Sequence, residues 1–415
     1  MLFLANTAVT KLLKFVNRQP KPFKVNMLRA SAQTFLSNLT NQFQAIYILR
    51  LGATPVQLGI TNSIAGAAAT LIALPTGWLA DRGGIRRILV WGAPFMALSS
   101  LIFGLAFDWT VAILAMLLLL LGTQLFNVAC PMVCGSYLKN EERATGKQLC
   151  DTICSIPALF APMIAATLIA VFGGLSAEGI KPVFLLQALG FVILLLYTYR
   201  FYFDTQNRCG SRSASSFSEN IGEVFRKGRA VRHWIVFSFL SSSTFFLSQT
   251  FLPAFVTDVK LGDEFTVGGM TTASMVFPIL LSLLLGRAAD TYGRKKVLYI
   301  TIPLYCLSVL LLIYAQSTLT LMISGILQGF YLLSAVTQGA VTADLMPVQF
   351  MGTWYGLLSI CRGVAIVVAP LVGGVIWSMI GPEYVFFLII LIETSELAIL
   401  WLLIPETLQK GSIDQ

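Results

Sequence analysis

Residues 77–89 read GWLADRGGIRRIL and residues 286–298 read GRAADTYGRKKVL, an offset of 209 in a chain of 415. Each copy sets an acid and a basic cluster beside glycines at the end of an apolar run, so the two halves of the chain repeat one another. Flanking positions extend the repeat. Ala161-Pro162 corresponds to Ala369-Pro370 at an offset of 208, and at that offset Asn41 falls on Gln249 and Gln42 on Thr250.

Around these motifs the chain is apolar. Of its residues 56% are hydrophobic and 11% charged, with a mean hydropathy of +0.79, whereas a soluble domain carries about a quarter charged residues. This excludes a soluble enzyme, a disordered scaffold and a receptor with a single membrane anchor. The net charge of +9 does not indicate a nucleic-acid partner, because a basic binding face needs water-exposed surface to sit on. Runs long enough to cross a bilayer fall at 56–79, 88–107, 110–135, 149–172, 183–203, 267–285, 297–315, 318–343, 352–379 and 384–403. Two further stretches, 27–51 and 233–256, have the length but are rich in Gln, Asn, Ser and Thr. With both counted there are twelve spans, numbered 1 to 12 in chain order.

The placement of cations supports that count. With twelve spans and both termini in the cytosol, 24 of the 28 Lys and Arg fall in cytosolic segments; Arg50, Lys181 and Lys260 fall outside and Arg362 within span 11. Removing either polar span inverts every later loop and destroys the asymmetry. The expected protein is a multi-pass component of the cytoplasmic membrane. It comprises an amphipathic segment 1–26, a six-span bundle 27–203, a cytosolic linker 204–232 that is Ser-rich at 211–218, a second six-span bundle 233–404 and a cytosolic tail 405–415.

At its two loop motifs the sequence resembles the major facilitator superfamily, over essentially the whole chain after about the first 25 residues. That family's loop signature, G-x-L-A-D-R-x-G-R-R-x-x-L, is matched by Gly77, Leu79, Ala80, Asp81, Arg82, Gly84, Arg86 and Leu89, with Ile85 in place of a basic residue. The second copy keeps Gly286, Ala289, Asp290, Gly293, Arg294, Lys295 and Leu298. The resemblance implies an all-α membrane protein of twelve transmembrane helices in two pseudo-symmetric six-helix bundles. It implies a secondary active transporter working by alternating access, with spans 1, 4, 7 and 10 lining a central cavity. Gly77, Asp81, Arg82, Arg86, Gly286, Asp290 and Arg294 then form the gating motif. Elementary electrostatics agrees: Asp81 ends span 2, where it can meet the start of span 11 near Gly352, whose free N–H groups favour an anion. Asp290 stands in the same relation to span 5 near Gly146, and Gly77 and Gly286 permit close helix approach. Two family features are degraded or missing. Span 5 of drug/proton antiporters carries G-x-x-x-G-P-x-x-G-G, where this chain has Pro157, Ala161, Pro162, Ala165 and Ala166, and span 4 contains no Lys or Arg.

Polar side chains within the spans mark a solute site, since the bilayer otherwise rejects them. On span 1, Gln33, Ser37, Asn41 and Gln44 share one face, with Thr34, Asn38 and Gln42 beside it. Span 7 offers Ser241, Ser248 and Gln249, span 4 Gln124 and Asn127, and span 10 Gln328, Tyr331, Thr337 and Gln338. The expected substrate contacts are Asn38, Asn41, Gln42, Gln124, Asn127, Gln249, Tyr331, Gln338 and Arg362; bonding between packed helices is the competing reading for each. Arg362 lies about 15 Å deep at the helical rise of about 1.5 Å per residue. Glu393 and Glu396 lie mid-span 12, three residues apart on one face. Either Arg362 pairs with a glutamate inside the second bundle, or it contacts an anion while Glu393 or Glu396 carries a proton. Asp151, one turn into span 5, is a further proton candidate.

Cys130 and Cys134, and Cys150 and Cys154, are spaced i, i+4 on either side of the loop between spans 4 and 5. Without a nearby His, and because buried Cys behaves as a small hydrophobe, neither metal nor cofactor is expected. Seven cysteines in 415 residues do not make a secreted disulfide framework. No glycine loop followed by Lys-Ser or Lys-Thr and no nucleophile–base set is present, so neither an ATP-driven pump nor an enzyme is indicated. The expectation is a monomeric secondary transporter of a small organic solute, with proton coupling left open. A multidrug/proton antiporter, favoured by Phe245, Phe246, Phe251 and Phe255 near span 7, is one alternative, and a non-transporting receptor or sensor that kept the fold is another.

Overall fold

A computed structural model describes residues 18–83, 85–138, 143–202, 229–346 and 351–404. Residues 1–17, most of the linker and the tail lie outside it, and at Gly77, Asp81, Arg82, Cys130, Gly286 and Asp290, among others, the backbone alone is described. Every regular element among the described residues is helical, as expected where each backbone N–H and C=O must be satisfied within its own segment.

Twelve rods run back and forth. They are Lys21–Thr40 with Gln44–Arg50 (span 1), Pro55–Gly83 (2), Ile85–Leu105 (3), Trp109–Tyr137 (4), Arg143–Ala158 with Ala161–Val171 (5) and Ala177–Phe201 (6). The second six are Arg229–Ala254 with Phe255–Val259 (span 7), Glu264–Tyr292 (8), Arg294–Ile313 (9), Thr318–Asp344 (10), Met351–Met379 (11) and Pro382–Leu403 (12). Nine described helices, all but spans 1, 2 and 8, are long and apolar enough to cross a membrane by length and composition. Outward-facing Trp91, Leu189, Leu196, Ile300, Val336 and Leu391 are exposed, an apolar belt suited to lipid rather than water.

Local chemistry explains the breaks and ends. Span 5 is interrupted at Leu159-Phe160 because Pro162 has no N–H to donate and crowds the carbonyl of residue 158. On the face remote from the termini, called here the far face, short polar residues cap the helix starts: Asp108 for span 4, Ser176 for span 6, Asp263 for span 8 and Ser317 for span 10. The Thr110 hydroxyl donates to Asp108 and holds its carboxyl below the usual range. On the terminal face Gly293 turns between spans 8 and 9 with φ 115°, a left-handed conformation that favours glycine.

The loop motif holds each half together at that face. Arg86, opening span 3, donates to the Tyr199 carbonyl near the end of span 6 at 3.2 Å. Its counterpart Lys295, opening span 9, donates to the Ile404 carbonyl after span 12 at 2.7 Å. The second half adds an ion pair between Arg294 and Asp344 at the end of span 10. The first half has Ile85 and Ser136 at the corresponding positions, so that pair has no equivalent there.

The core has a telling shape. Toward the far face one buried cluster joins both halves, from Tyr47, Phe103 and Phe184 to Phe251, Phe255 and Phe386. Toward the terminal face it divides in two, one cluster around Phe23, Phe126 and Phe191 and another around Trp234, Phe237 and Trp354. Among the described residues, apolar packing therefore welds the halves on the far side.

Candidate functional site

The seal between the halves is built twice, once by each copy of the repeat. Span 2 packs on span 11 and span 5 on span 8. The Ser63 hydroxyl donates to the Val367 carbonyl at 2.5 Å, and its repeat counterpart Thr272 donates to the Leu159 carbonyl at 3.2 Å. Gly59 lies against the Pro370 carbonyl just as Gly268 lies against that of Pro162; only a glycine lets the two backbones come so close. At the far end Arg50 of span 1 pairs with Asp258 of span 7 at 2.8 Å. Together with a bond between Gln249 and Asn41, these link the halves in the far half of the bundle.

Behind that seal lies a cavity of about 250 Å³. Its polar wall is made by Ser37, Asn38, Asn41 and Gln44 of span 1, Asn62 of span 2, Gln187 of span 6, and Gln249 and Thr250 of span 7. Met116, Leu119, Leu120, Phe246 and Ile366 supply the apolar wall, and among the described residues no charged side chain lines it. Span 1 tightens to a 3₁₀ turn at Asn41–Phe43 where it passes the cavity, a winding often found at functional hinges. Gln249 Nε2 donates to Asn41 Oδ1 at 3.3 Å, so the two positions that correspond in the repeat meet across the pseudo-two-fold axis.

The family profile of the Major Facilitator Superfamily matches residues 27–269 and 238–415. The chain belongs to the Major Facilitator Superfamily. It is 26% identical over 353 residues to the multi-drug resistance efflux pump PmrA homolog of Lactococcus lactis subsp. lactis, a match covering 82% of this chain and 84% of that one. It is 27% identical over 161 residues to the class H tetracycline resistance protein of Pasteurella multocida, where the match spans 39% of either chain. Among solved structures, a mutant of the nucleoside transporter NupG has a TM-score of 0.76 at 14% identity, covering 92% of this chain and 100% of that one. A bacterial homolog of the human lysosomal transporter Spinster has a TM-score of 0.70 at 14% identity, covering 92% and 97%. Likeness at such identity is likeness of fold.

The fold of this superfamily transporter brings some expected site residues together and separates others. Asn38, Asn41 and Gln249 line the cavity. Gln42 is buried beside it with both ends of its carboxamide unpartnered. Gln124 and Asn127 do not line the cavity, because span 4 turns Met116, Leu119, Leu120 and Thr123 inward instead. Tyr331 and Gln338 serve span 7: Tyr331 donates to the Ser241 carbonyl at 3.1 Å, and Gln338 accepts from the Ser241 hydroxyl at 3.1 Å. The expected pair between Arg362 and a glutamate is not formed among the described residues. Arg362 is exposed one turn from cavity-lining Ile366, its guanidinium 5.6 Å and 5.8 Å from the ring centres of Phe245 and Phe246. Asp151 is exposed, two turns into a span that starts at Arg143.

Of the gating motif, Arg86 and Arg294 make the bonds given above, while the side chains of Gly77, Asp81, Arg82, Gly286 and Asp290 lie outside the description. Of the cysteines, Cys150 and Cys154 lie with their sulfurs 4.0 Å apart and pack with Ala30, Cys134 belongs to a different hydrophobic cluster, and the side chain of Cys130 lies outside the description.

Several polar residues of the site carry no sequence signal that singles them out. Gln187 ties three spans together, accepting from Ser100 and donating to the Leu36 carbonyl, each at 2.9 Å. Arg29, counted above as a cytosolic cation, is 1% exposed within span 1; it donates to Asn26 and Gln33 and lies 4.7 Å from the Phe126 ring centre.

Proposed function

We propose that this transporter carries a small, uncharged, hydrogen-bonding organic solute across the cytoplasmic membrane by alternating access, with both termini and the 204–232 linker cytosolic. The observation that carries this reading is the cavity wall, in which carboxamides of both halves converge and no charge is present. A carboxamide offers both donor and acceptor, so the wall suits hydroxyl, carbonyl and amide groups. A charged solute would lose its hydration there without a counter-charge to replace it. The volume of about 250 Å³ lies below the roughly 300–1,000 Å³ usual for pockets that take drug-sized ligands.

A solute inserted between Asn41 and Gln249 is held by both halves and so senses the distance between them. With the termini cytosolic, the form described is the one closed to the outside. Opening it breaks the paired seal bonds, each worth about 0.5–1.5 kcal/mol net, a sum that differential solute binding can supply. The apolar wall and the drug-efflux relative support a second reading, export of a lipophilic compound.

Thermal shift of the purified protein separates the two. Uridine, chosen because a structural neighbour is a nucleoside transporter, and a hexose represent the first class, and ethidium the second. The first reading expects a neutral polar solute to raise Tm, the rise being lost in Asn41→Ala and Gln249→Ala. A rise with ethidium alone, lost in Phe246→Ala, would replace it with the second.

A further inference from the structure

Span 12 carries two carboxyl groups that the cavity does not use. Glu393 and Glu396 are 3% and 0% exposed, and their i, i+3 spacing puts them on one face. Span 12 packs on spans 7, 9 and 11, so both point into the second bundle rather than toward lipid. Glu393 Oε1 and both carboxylate oxygens of Glu396 have no hydrogen-bond partner among the described residues. From span 7, Thr244 faces Glu393; it is 0% exposed and its hydroxyl has no hydrogen bond of normal geometry.

The titratable and charged groups around the pair offer no counter-ion. Span 9 contributes Tyr305 and Cys306, and span 10 contributes Tyr331. Span 7 has His233 at its terminal end, and span 9 has Lys295 and Lys296 at its own, where Lys295 is bonded to the Ile404 carbonyl. Span 11 has Cys361 and Arg362, with Arg362 over Phe245 and Phe246. Among the described residues no Lys, Arg or His lies within 4.0 Å of either glutamate. No third carboxylate, Cys or His completes a metal-binding group there, and a hard metal ion asks for six or more oxygen ligands. Two facing acids inside a bilayer, with no cation beside them and only the Thr244 hydroxyl facing Glu393, require another neutralising partner. A proton is the partner that needs no further ligand.

The pair also lies next to the moving parts. Thr244 is followed along span 7 by Phe245, which packs on Tyr331 at 6.1 Å, and by Phe246, which lines the cavity. Tyr331 in turn packs on Tyr305 at 5.1 Å. One helix thus separates the carboxyl pair from the solute, and a rocking of the halves that shifts span 7 changes what covers the pair.

We propose that Glu393 and Glu396 form a proton site that exchanges with water during the transport cycle and couples solute movement to proton flow. In one form a carboxyl O–H bond breaks and the proton leaves to water; in the other the carboxylate takes a proton back from water on the opposite side. No other bond changes. Arg362, the only cation in the middle of spans 7 to 12 of the sequence, lies over the Phe245 and Phe246 rings with no ion pair among the described residues and can answer the negative charge left behind. The inference rests on the chain being a transporter, not on which solute it carries.

The deciding test is infrared spectroscopy of the full chain in lipid, from about pH 5 to about pH 9, on wild type, Glu393→Gln, Glu396→Gln and the double variant. Gln keeps the volume and removes the proton. The expected result is a carbonyl stretch of a protonated carboxyl that changes across this range, weakens in each single variant and vanishes in the double one, with all proteins folded by thermal shift. A band insensitive to pH, or one that survives in the double variant, overturns the proposal. In proteoliposomes, uridine counterflow should persist in the double variant while accumulation driven by a pH gradient is lost; wild-type accumulation in that variant would overturn it too. If uridine is not moved at all, the proposed solute class fails, and the infrared band still decides the proton site.

Discussion

Replacing Gly59 by Ala should unseal the far face. A Cβ at Gly59 collides with the Pro370 carbonyl oxygen and would lie 3.0 Å from Pro370 C and 3.5 Å from Leu371 Cα. The obstacle is backbone, which no rotamer change relieves, so spans 2 and 11 must part or tilt. The repeat supplies an internal comparison: a Cβ at Gly268 would lie 2.8 Å from the Pro162 carbonyl oxygen and 3.1 Å from Ala166 Cβ, a looser fit. Overpacking of this kind costs about 1–3 kcal/mol, and the cost arises only in the form whose far face is closed. The equilibrium should therefore move about 5- to 150-fold toward the opposite form, with Gly268→Ala moving it the same way but less. The gain in helix propensity on replacing Gly, about 1 kcal/mol, is common to both forms and cancels. Spin labels at Glu178 and Gln316, exposed far-face positions in the two halves, report the separation in a cysteine-free background by pulsed electron resonance. A longer-distance population should grow in Gly59→Ala. An unchanged distance distribution, or a larger effect at Gly268, would refute the reasoning.

Three further expectations follow from other parts of the molecule. Asp344→Asn leaves Arg294 without its anion at a partly exposed site, so stability should fall by about 0.5–1 kcal/mol, read as a small drop in Tm that high salt erases. Asp81→Asn should weaken the attraction to the start of span 11 and favour the form open at the terminal face, while solute binding survives; unchanged cross-linking across that face would remove the latch from the mechanism. Single cysteines at Ser216 and Ser412 should resist a membrane-impermeant thiol reagent added to intact cells, and labelling there would invert the proposed topology.

The number of spans, the duplicated architecture and the family were legible because each depends on quantities that are local or repeated along the chain. Partition of a segment into lipid is a sum over its own residues, and a repeat is visible wherever two stretches align. The repeat aligned Asn41 with Gln249, but that the two side chains meet follows from their lying near the axis that relates the halves. The contents of the site were less legible. Gln124 and Asn127 are as polar as Asn38, yet span 4 turns other residues to the cavity; Gln187 and Asn62 sit on spans that gave no reason to look there. Arg362, Glu393 and Glu396 share a depth in the membrane, which made an ion pair reasonable, but Arg362 packs on span 7 and the glutamates face the interior of the second bundle.

Depth along a helix follows from counting residues. The direction a side chain points depends on how each helix is rotated about its axis, and that rotation is set by packing against partners hundreds of residues away, such as Gly59 on Pro370. Sequence alone therefore determined that this chain is a multi-pass helical membrane protein of a transporter family, built as two related halves. Tertiary structure alone decided which polar groups meet in a cavity, which are spent on holding helices together, and that Glu393 and Glu396 are buried without a counter-ion among the described residues.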